Sequence, residues 1–291
     1  MINKSLLTEI YPYRKKNAKK YDHGAVLVIG GSRIYSGSPA ITAFSALRSG
    51  ADIAEVVAVE RAADIIAGFS PDLITHPLDG DYLSEKHLPK LLELTESMNA
   101  ASRGNMTVVI GGGIGRREET KRLVRNYVSQ STVLKVIDAD GIYAFEDQGR
   151  DLLDETCLLT PHLYEFFILT GQNLKDSTRQ KKGESVKNNA AELGVSIILK
   201  GAADIISDGS QVVVNDFPVP QLTSGGCGDS LAGIAGAIAA RRGDLFEAAV
   251  GAAYLNSKAG KLAANELGGS LVSQDLVERL PEAIRTITNP S

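Results

Sequence analysis

Residues Gln221–Ala240 read QLTSGGCGDSLAGIAGAIAA. Gly225, Gly226 and Gly228 leave a backbone free to take positive φ and open to close approach. From Asp229 onward, Leu231, Ile234, Ala235 and Ile238 recur at helical spacing, so the glycines sit at a helix N-terminus. Such an end offers unpaired N–H groups and a positive dipole, and suits an anion. A carboxylate there is repelled by the ligand it faces. Asp229 is therefore either an ordinary helix cap or a base that takes a proton from whatever attacks the anion.

Outward from this turn, the chain alternates strand and helix. Asp204–Ser207 and Gln211–Asn215 flank the tight turn DGS and predict a hairpin at one sheet edge. Helices are expected over about Asp229–Arg241 and Asp244–Leu267; Arg241, Arg242 and Gly243 close the first, and Asp244 with Glu247 opens the second as a capping box. Apolar runs of strand length occur at Ala25–Ile29, Ile53–Val59, Met106–Ile110, Val133–Ile137, Cys157–Leu159 and Val195–Leu199, most of them separated by helical stretches. The pattern predicts an α/β fold: a mostly parallel central sheet with helices on both faces and a late edge hairpin. No repeat or linker divides the chain, so residues 1–291 are read as a single domain, with 1–21 as an N-terminal lead-in.

The chain has 291 residues, 43% of them hydrophobic, enough for a full core. A formal net charge of −4 gives no overall field for nucleic acid or an acidic membrane. The basic cluster RKKNAKK, Arg14–Lys20, reads as a solvated face. The two cysteines, Cys157 and Cys227, have no metal-ligand spacing, which argues against a zinc site or disulfide framework and fits a reducing cytoplasm. No apolar stretch reaches the roughly 18 residues of a membrane span.

Ligands of open parallel sheets bind beyond the carboxyl ends of the strands, and here those ends are rich in glycine and polar residues. They are GGSRIYSGS (Gly30–Ser38), GGGIGR (Gly111–Arg116), DADG (Asp138–Gly141), TPHLYE (Thr160–Glu165) and KGAAD (Lys200–Asp204). Together they predict one extended cleft. Asp138 and Asp140 are read as shaping a turn and capping the segment toward Phe145, with ligand contact as the alternative. GxxxxGK[ST] is absent, which excludes a P-loop, and the absence of GxGxxG after the first strand disfavours a Rossmann dinucleotide site.

With these segments in order, the sequence resembles the ribokinase-like superfamily, and within it the ADP- or ATP-dependent NAD(P)H-hydrate dehydratases. HGAVLVIGGS with SALRSGA, then VVIGGGIGR, VIDADG, LLTPHLYEF, ILKGAAD and SGGCGD carry the resemblance from about Lys20 to Leu267. It implies a ribokinase-like three-layer fold and a two-stage reaction on hydrated NADH or NADPH. ATP or ADP phosphorylates the ring hydroxyl, and loss of phosphate restores the dihydropyridine, a net dehydration classed as a lyase.

By the same resemblance, Asp229 is the catalytic base, and the N–H groups of Gly226, Cys227 and Gly228 form the anion hole. Ser38, Gly113, His162 and Asp229 hold the hydrated substrate, while Lys200, Gly201, Ala202, Ala203, Asp204 and Gly228 hold the adenine nucleotide. Glu165 holds Mg²⁺ by way of water. The resemblance further implies a cytoplasmic homo-oligomer, a tetramer among the options, with no fused epimerase domain within 1–291. Leu163 and Tyr164 depart from the family's Pro and Gly and would place a large ring beside His162. Cys227 replaces Thr, and Asn256 in YLN replaces His. The substituted TPHLYE segment keeps a second reading alive, a small-molecule kinase that releases its phosphorylated vitamin or sugar alcohol. ADP against ATP, and NADH-hydrate against NADPH-hydrate, stay open at this level.

Overall fold

The computed structural model describes residues 4–12 and 14–288; the two ends of the expected 1–291 domain, and Tyr13 of the 1–21 lead-in, lie outside the described residues. In chain order the elements are α1 (Lys4–Ile10), β1 (Ala25–Ile29), α2 (Gly37–Arg48), β2 (Ile53–Val59), α3 (Glu60–Ala67), β3 (Ile74–Leu78) and α4 (Leu88–Ser102). There follow β4 (Met106–Ile110), α5 (Glu118–Gln130), β5 (Leu134–Ile137), β6 (Cys157–Leu159), α6 (Leu163–Thr170), α7 (Arg179–Leu193) and β7 (Ser196–Leu199). The chain continues through β8 (Asp204–Ser207), β9 (Val212–Asn215), α8 (Cys227–Arg242), α9 (Leu245–Leu267) and α10 (Ser273–Thr288).

The nine strands form one sheet in the order β3-β2-β1-β4-β5-β6-β7-β8-β9. Pairing is parallel from β3 through β7, and the β8–β9 hairpin adds antiparallel at the far edge. Every residue of β1 and β4 is buried, as parallel strands covered on both faces require. Helices α2, α8, α9 and α10 pack together on one face, with α8 against β1, β4 and β5; α4 packs over β1 and β4 from the other, with α5 against α4. Small residues let α8 come close. A Cβ at Gly236 would lie 2.6 Å from Val109 Cγ2, and one at Gly233 would strike the Thr42 carbonyl of α2.

Besides α1 in the lead-in, two elements go unread in the sequence. The edge strand β3, ITHPL, is mostly exposed or half-buried and contains Pro77, so it carries no apolar run. Helix α10 buries Leu276, Leu280, Ala283 and Ile287, but Pro281 falls inside that periodicity. Several ends also shift: β5 begins at Leu134, β7 at Ser196 and β9 at Val212. More consequential, α8 begins at Cys227, so Asp229 is the third residue of the helix and not its cap. Gly243 closes α8 in the left-handed region at φ 71°, as expected. The expected capping box of α9 is only half formed. Asp244 accepts from the Glu247 N–H at 2.8 Å, but the Glu247 carboxylate turns to Arg242 at 2.7 Å.

Candidate active site

Strand order reverses between β1 and β4, since the chain leaves β1 for β2 on one side and β4 lies on the other. Carboxyl ends at such a switch point open a crevice. Here the two strand ends are laced together, with Gly31 N–H donating to Gly112 O at 2.8 Å and Gly111 N–H to Ile29 O at 3.2 Å. Into this crevice α2 brings Ser38 and α8 brings Asp229, and the Ser38 hydroxyl donates to Asp229 Oδ1. Gly112 forms the floor beneath them, where a Cβ would collide with Ser38 Oγ and lie 3.1 Å from Asp229 Oδ1. Thr42, one turn along α2, donates to Ser38 O at 3.1 Å and Asp229 O at 3.3 Å, fixing the two helix starts together.

The electrostatics of Asp229 suit a proton acceptor. Burial pushes its carboxyl up, and the negative charge of Asp138 adds to the effect. The Ser38 hydrogen bond and the Lys200 ammonium pull the other way, and the outcome is about 6. A base in that range is ionised at neutral pH yet basic enough to accept a proton.

Beside it lies a buried charge cluster. Lys200 Nζ is 2.8 Å from Asp138 Oδ1 and 3.7 Å from Glu165 Oε2, and Thr160 Oγ1 donates to Asp138 at 2.6 Å. Burial opposes the charge on Lys200, but Asp138 and Glu165 outweigh it and the ammonium is held above its ordinary range. Burial raises the Glu165 carboxyl, partly offset by Lys200. Asp138 thus departs from the expected helix-capping role: its side chain makes no cap hydrogen bond and instead anchors the lysine. Asp140 ties two loops, accepting from Gly115 N–H at 3.0 Å and Arg116 Nε at 2.8 Å.

His162 is the N-cap of α6. Its Nδ1 accepts from the N–H groups of Tyr164 and Glu165, both at 3.1 Å, and the Glu165 carboxylate reciprocates by accepting from His162 N–H at 2.8 Å. The ring hydrogen therefore lies on Nε2, which faces Glu165 Oε1 at 3.3 Å. Tyr164, expected to place a large ring beside His162, is 57% exposed and pairs with Phe167, one turn on, at 6.2 Å. It is not part of the lining of the cavity between β7 and α8.

A cavity of about 700 Å³ opens between β7 and α8. Lys200, Gly201, Ala202 and Asp204 line one side and Gly225–Gly228 another, with His162 at its edge; Ala203, although in the same segment, is not part of the lining. His162, expected on the substrate side, thus borders the space that the nucleotide residues enclose. Gly226 takes φ 91°, a conformation that favours glycine. Of the expected anion hole, the Cys227 N–H closes a turn onto Ser224 O at 3.3 Å, while those of Gly226 and Gly228 have no internal partner among the described residues. The Cys227 thiol, pushed up to about 11 by burial and by Asp229, stays protonated at neutral pH. Gly113 has a backbone role, at φ 69°, and a Cβ there would lie 2.8 Å from the Tyr35 Cβ. Asn256, noted in YLN, also lines the cavity, as does Phe217–Pro220, which escapes sequence reading. Two prolines mark that segment as irregular, but nothing in FPVP says that it faces a cavity.

No group of three or more metal-ligating side chains occurs among the described residues. Both Glu165 oxygens are engaged, by His162 and Lys200. The residues fit a hard cation held mainly by a ligand's own phosphates and reached from Glu165 through water. No described helix is long and apolar enough to cross a membrane.

A family model described as NAD(P)H-hydrate dehydratase matches residues 26–282. A bifunctional NAD(P)H-hydrate repair enzyme of Pyrobaculum aerophilum is 42% identical over 94% of this chain, which covers 52% of that protein. An ADP-dependent (S)-NAD(P)H-hydrate dehydratase of Cenarchaeum symbiosum is 34% identical over 98% of this chain and 96% of its own length. The chain thus spans about half the length of the bifunctional relative and nearly all of the dehydratase. Among solved structures, a ribokinase-like superfamily protein of Enterococcus faecalis superposes with a TM-score of 0.84 at 23% identity, covering 99% of this chain and 96% of that one. That likeness bears out the three-layer ribokinase-like architecture.

Proposed function

Because the chain belongs to the NAD(P)H-hydrate dehydratase family, we propose that it returns (6S)-hydrated NADH or NADPH to the intact cofactor, with an adenine nucleotide as phosphoryl donor. The observation that carries this reading is the Ser38–Asp229 hydrogen bond at the switch point, beside the glycine turn that opens α8. The terminal phosphoryl would lie against the N–H groups of Gly226 and Gly228, and the hydrated ring against Ser38 and Gly112. Asp229 Oδ takes the hydroxyl proton as the ring oxygen bonds to phosphorus and the nucleotide leaves. Phosphate then departs with the C–O electron pair, a ring proton is lost, and the double bond of the dihydropyridine reforms. Phosphoryl transfer is mainly positioning and charge stabilisation, and the site is built for both.

Lys200, fixed by Asp138 and Glu165, places a permanent cation under the first turn of α8, 3.4 Å from where a Gly228 Cβ would be. When bound, Mg²⁺ neutralises charge on the phosphates; Glu165 would reach it through water. The relative of Cenarchaeum symbiosum is named for ADP, which makes ADP the first nucleotide to try. The two buried, unpaired cysteines support a reducing, cytoplasmic setting, and the family resemblance supports a homo-oligomer, to be checked by sedimentation.

The test mixes the purified chain, Mg²⁺ and ADP or ATP with hydrated NADH and follows the NADH absorbance. Recovery with one nucleotide, and none without, is the expected result. No recovery with either, alongside release of a phosphorylated vitamin alcohol, would replace the dehydratase with the kinase.

A further inference from the structure

One cation at the rim of the cleft has no part in the reaction just described. Arg116 ends the loop Gly111–Arg116, four residues beyond the Gly112 that touches Ser38 and Asp229. Its Nε donates to Asp140 Oδ1 at 2.8 Å, and its Cζ sits over the Tyr143 ring, 3.6 Å from the centroid. Tyr143 is itself buried, 5% exposed, so the platform is rigid. Yet the arginine side chain remains 54% exposed, and neither Nη1 nor Nη2 has a partner among the described residues. A purely structural role, tying this loop to the Ala139–Phe145 turn, is already filled by Gly115 N–H, which donates to the other oxygen of Asp140 at 3.0 Å. The guanidinium is therefore anchored at Nε and over the Tyr143 ring, with Nη1 and Nη2 presented to solvent, the arrangement of a fork awaiting paired oxygens.

The charge of the surroundings points the same way. Asp138, Asp140, Glu165 and Asp229 crowd the strand ends, while Lys200 is committed to Asp138 and Glu165. A polyanionic substrate needs a cation whose donors are free. We infer that Arg116 recognises the diphosphate bridge of the dinucleotide substrate, an inference that rests on the proposed dehydratase reading. The diphosphate lies one ribose from the nicotinamide ring, a distance within the reach of the chain from Gly112 to Arg116, at most about 14 Å. Ring at Asp229 and diphosphate at Arg116 place the substrate along this one loop, away from the nucleotide cavity beyond α8.

The test measures binding of NADH, and separately of reduced nicotinamide riboside, which lacks phosphate, with the nucleotide cavity filled by ADP. Arg116→Ala should raise the NADH dissociation constant roughly 10- to 100-fold, as expected for loss of charge-assisted hydrogen bonds, and leave the riboside unaffected. Arg116→Lys keeps the charge and preserves folding, but cannot form the fork, so it should still weaken NADH binding. Unchanged NADH binding in both variants, equal weakening for the riboside, or no NADH binding by the wild-type chain overturns the inference. Hydrate turnover by the wild-type chain is scored separately. Turnover with arginine-independent NADH binding keeps the reaction and removes Arg116, and arginine-dependent binding without turnover does the reverse.

Discussion

Ser38, in the first turn of α2, donates its hydroxyl hydrogen bond to Asp229, in the first turn of α8. That bond aims the carboxylate across the switch point, away from any capping role. Asp229→Asn preserves shape and can still accept from Ser38, but cannot take a proton. Turnover should fall about 10²–10⁴-fold, the usual worth of general-base assistance, while nucleotide affinity holds or rises. Stability gives an independent readout. A carboxyl raised in the folded chain to about 6 favours the fold when protonated, and that contribution is lost as pH rises through the folded value. The variant should therefore melt above the wild type at pH 8, and the gap should close toward pH 4.

The same relationship fixes a pH profile. If Asp229 is the base, the rate on free enzyme should rise with pH through about 6. Ser38→Ala removes a hydrogen bond that favours the charged carboxylate, so the acid limb should move upward by roughly one pH unit. An unmoved limb in kcat/KM would show that Asp229 is not the titrating group.

Gly228 has a helical backbone, and an added Cβ would meet only Lys200 Nζ, at 3.4 Å. Gly228→Val should leave the melting temperature within a few degrees of wild type. Its side chain would project where phosphate approaches, so calorimetry should show nucleotide affinity reduced tenfold or more. Full affinity would move the phosphates elsewhere.

Lys200 neutralises two buried carboxylates. Lys200→Met strands Asp138 and Glu165, and loss of one partner of a buried pair costs about 3–5 kcal/mol. Denaturant melts at pH 7 should show a loss of that order. The loss should shrink as the pH falls and the orphaned carboxylates take up protons; a pH-independent deficit would point to packing alone.

His162 combines a cap with a position at the cavity edge, and two substitutions separate them. His162→Ala removes an acceptor for two N–H groups and should cost about 1 kcal/mol. His162→Asn restores a cap without the ring. If the ring touches substrate, both variants should raise the KM for the hydrate well beyond that for nucleotide. Because the ring borders the nucleotide cavity, the comparison also reads the opposite outcome, a rise confined to nucleotide.

Most strands were legible in the sequence because parallel strands covered on both faces are unbroken apolar runs; β1 and β4 are examples. The edge strand β3, with Pro77 and a mostly exposed or half-buried pattern, has no such signature and was invisible, whereas the edge strand β9 was betrayed by its hairpin turn. Within the site, glycine turns marked the strand ends, but side-chain direction was not written there. Asp138 could have capped its turn; only the position of Lys200, from a strand two places along the sheet, turns it into an anchor. His162 is a similar case. Its motif marked a ligand residue, whereas the helix it opens fixes Nδ1 on backbone N–H groups.

The packing of α8 on β1, β4 and β5 also bears on how the chain reaches its native state. Every strand precedes α8 in sequence, so during synthesis the sheet is complete in residues while the face that α8 covers has nothing to cover it. Contacts between α2 and α8 are of high sequence separation, and such closures are slow. The interval before α8 emerges is when exposed apolar surface invites aggregation. Since Ser38 and Asp229 meet only through that late docking, catalytic competence would be acquired at the end of folding, after the parallel sheet is in place.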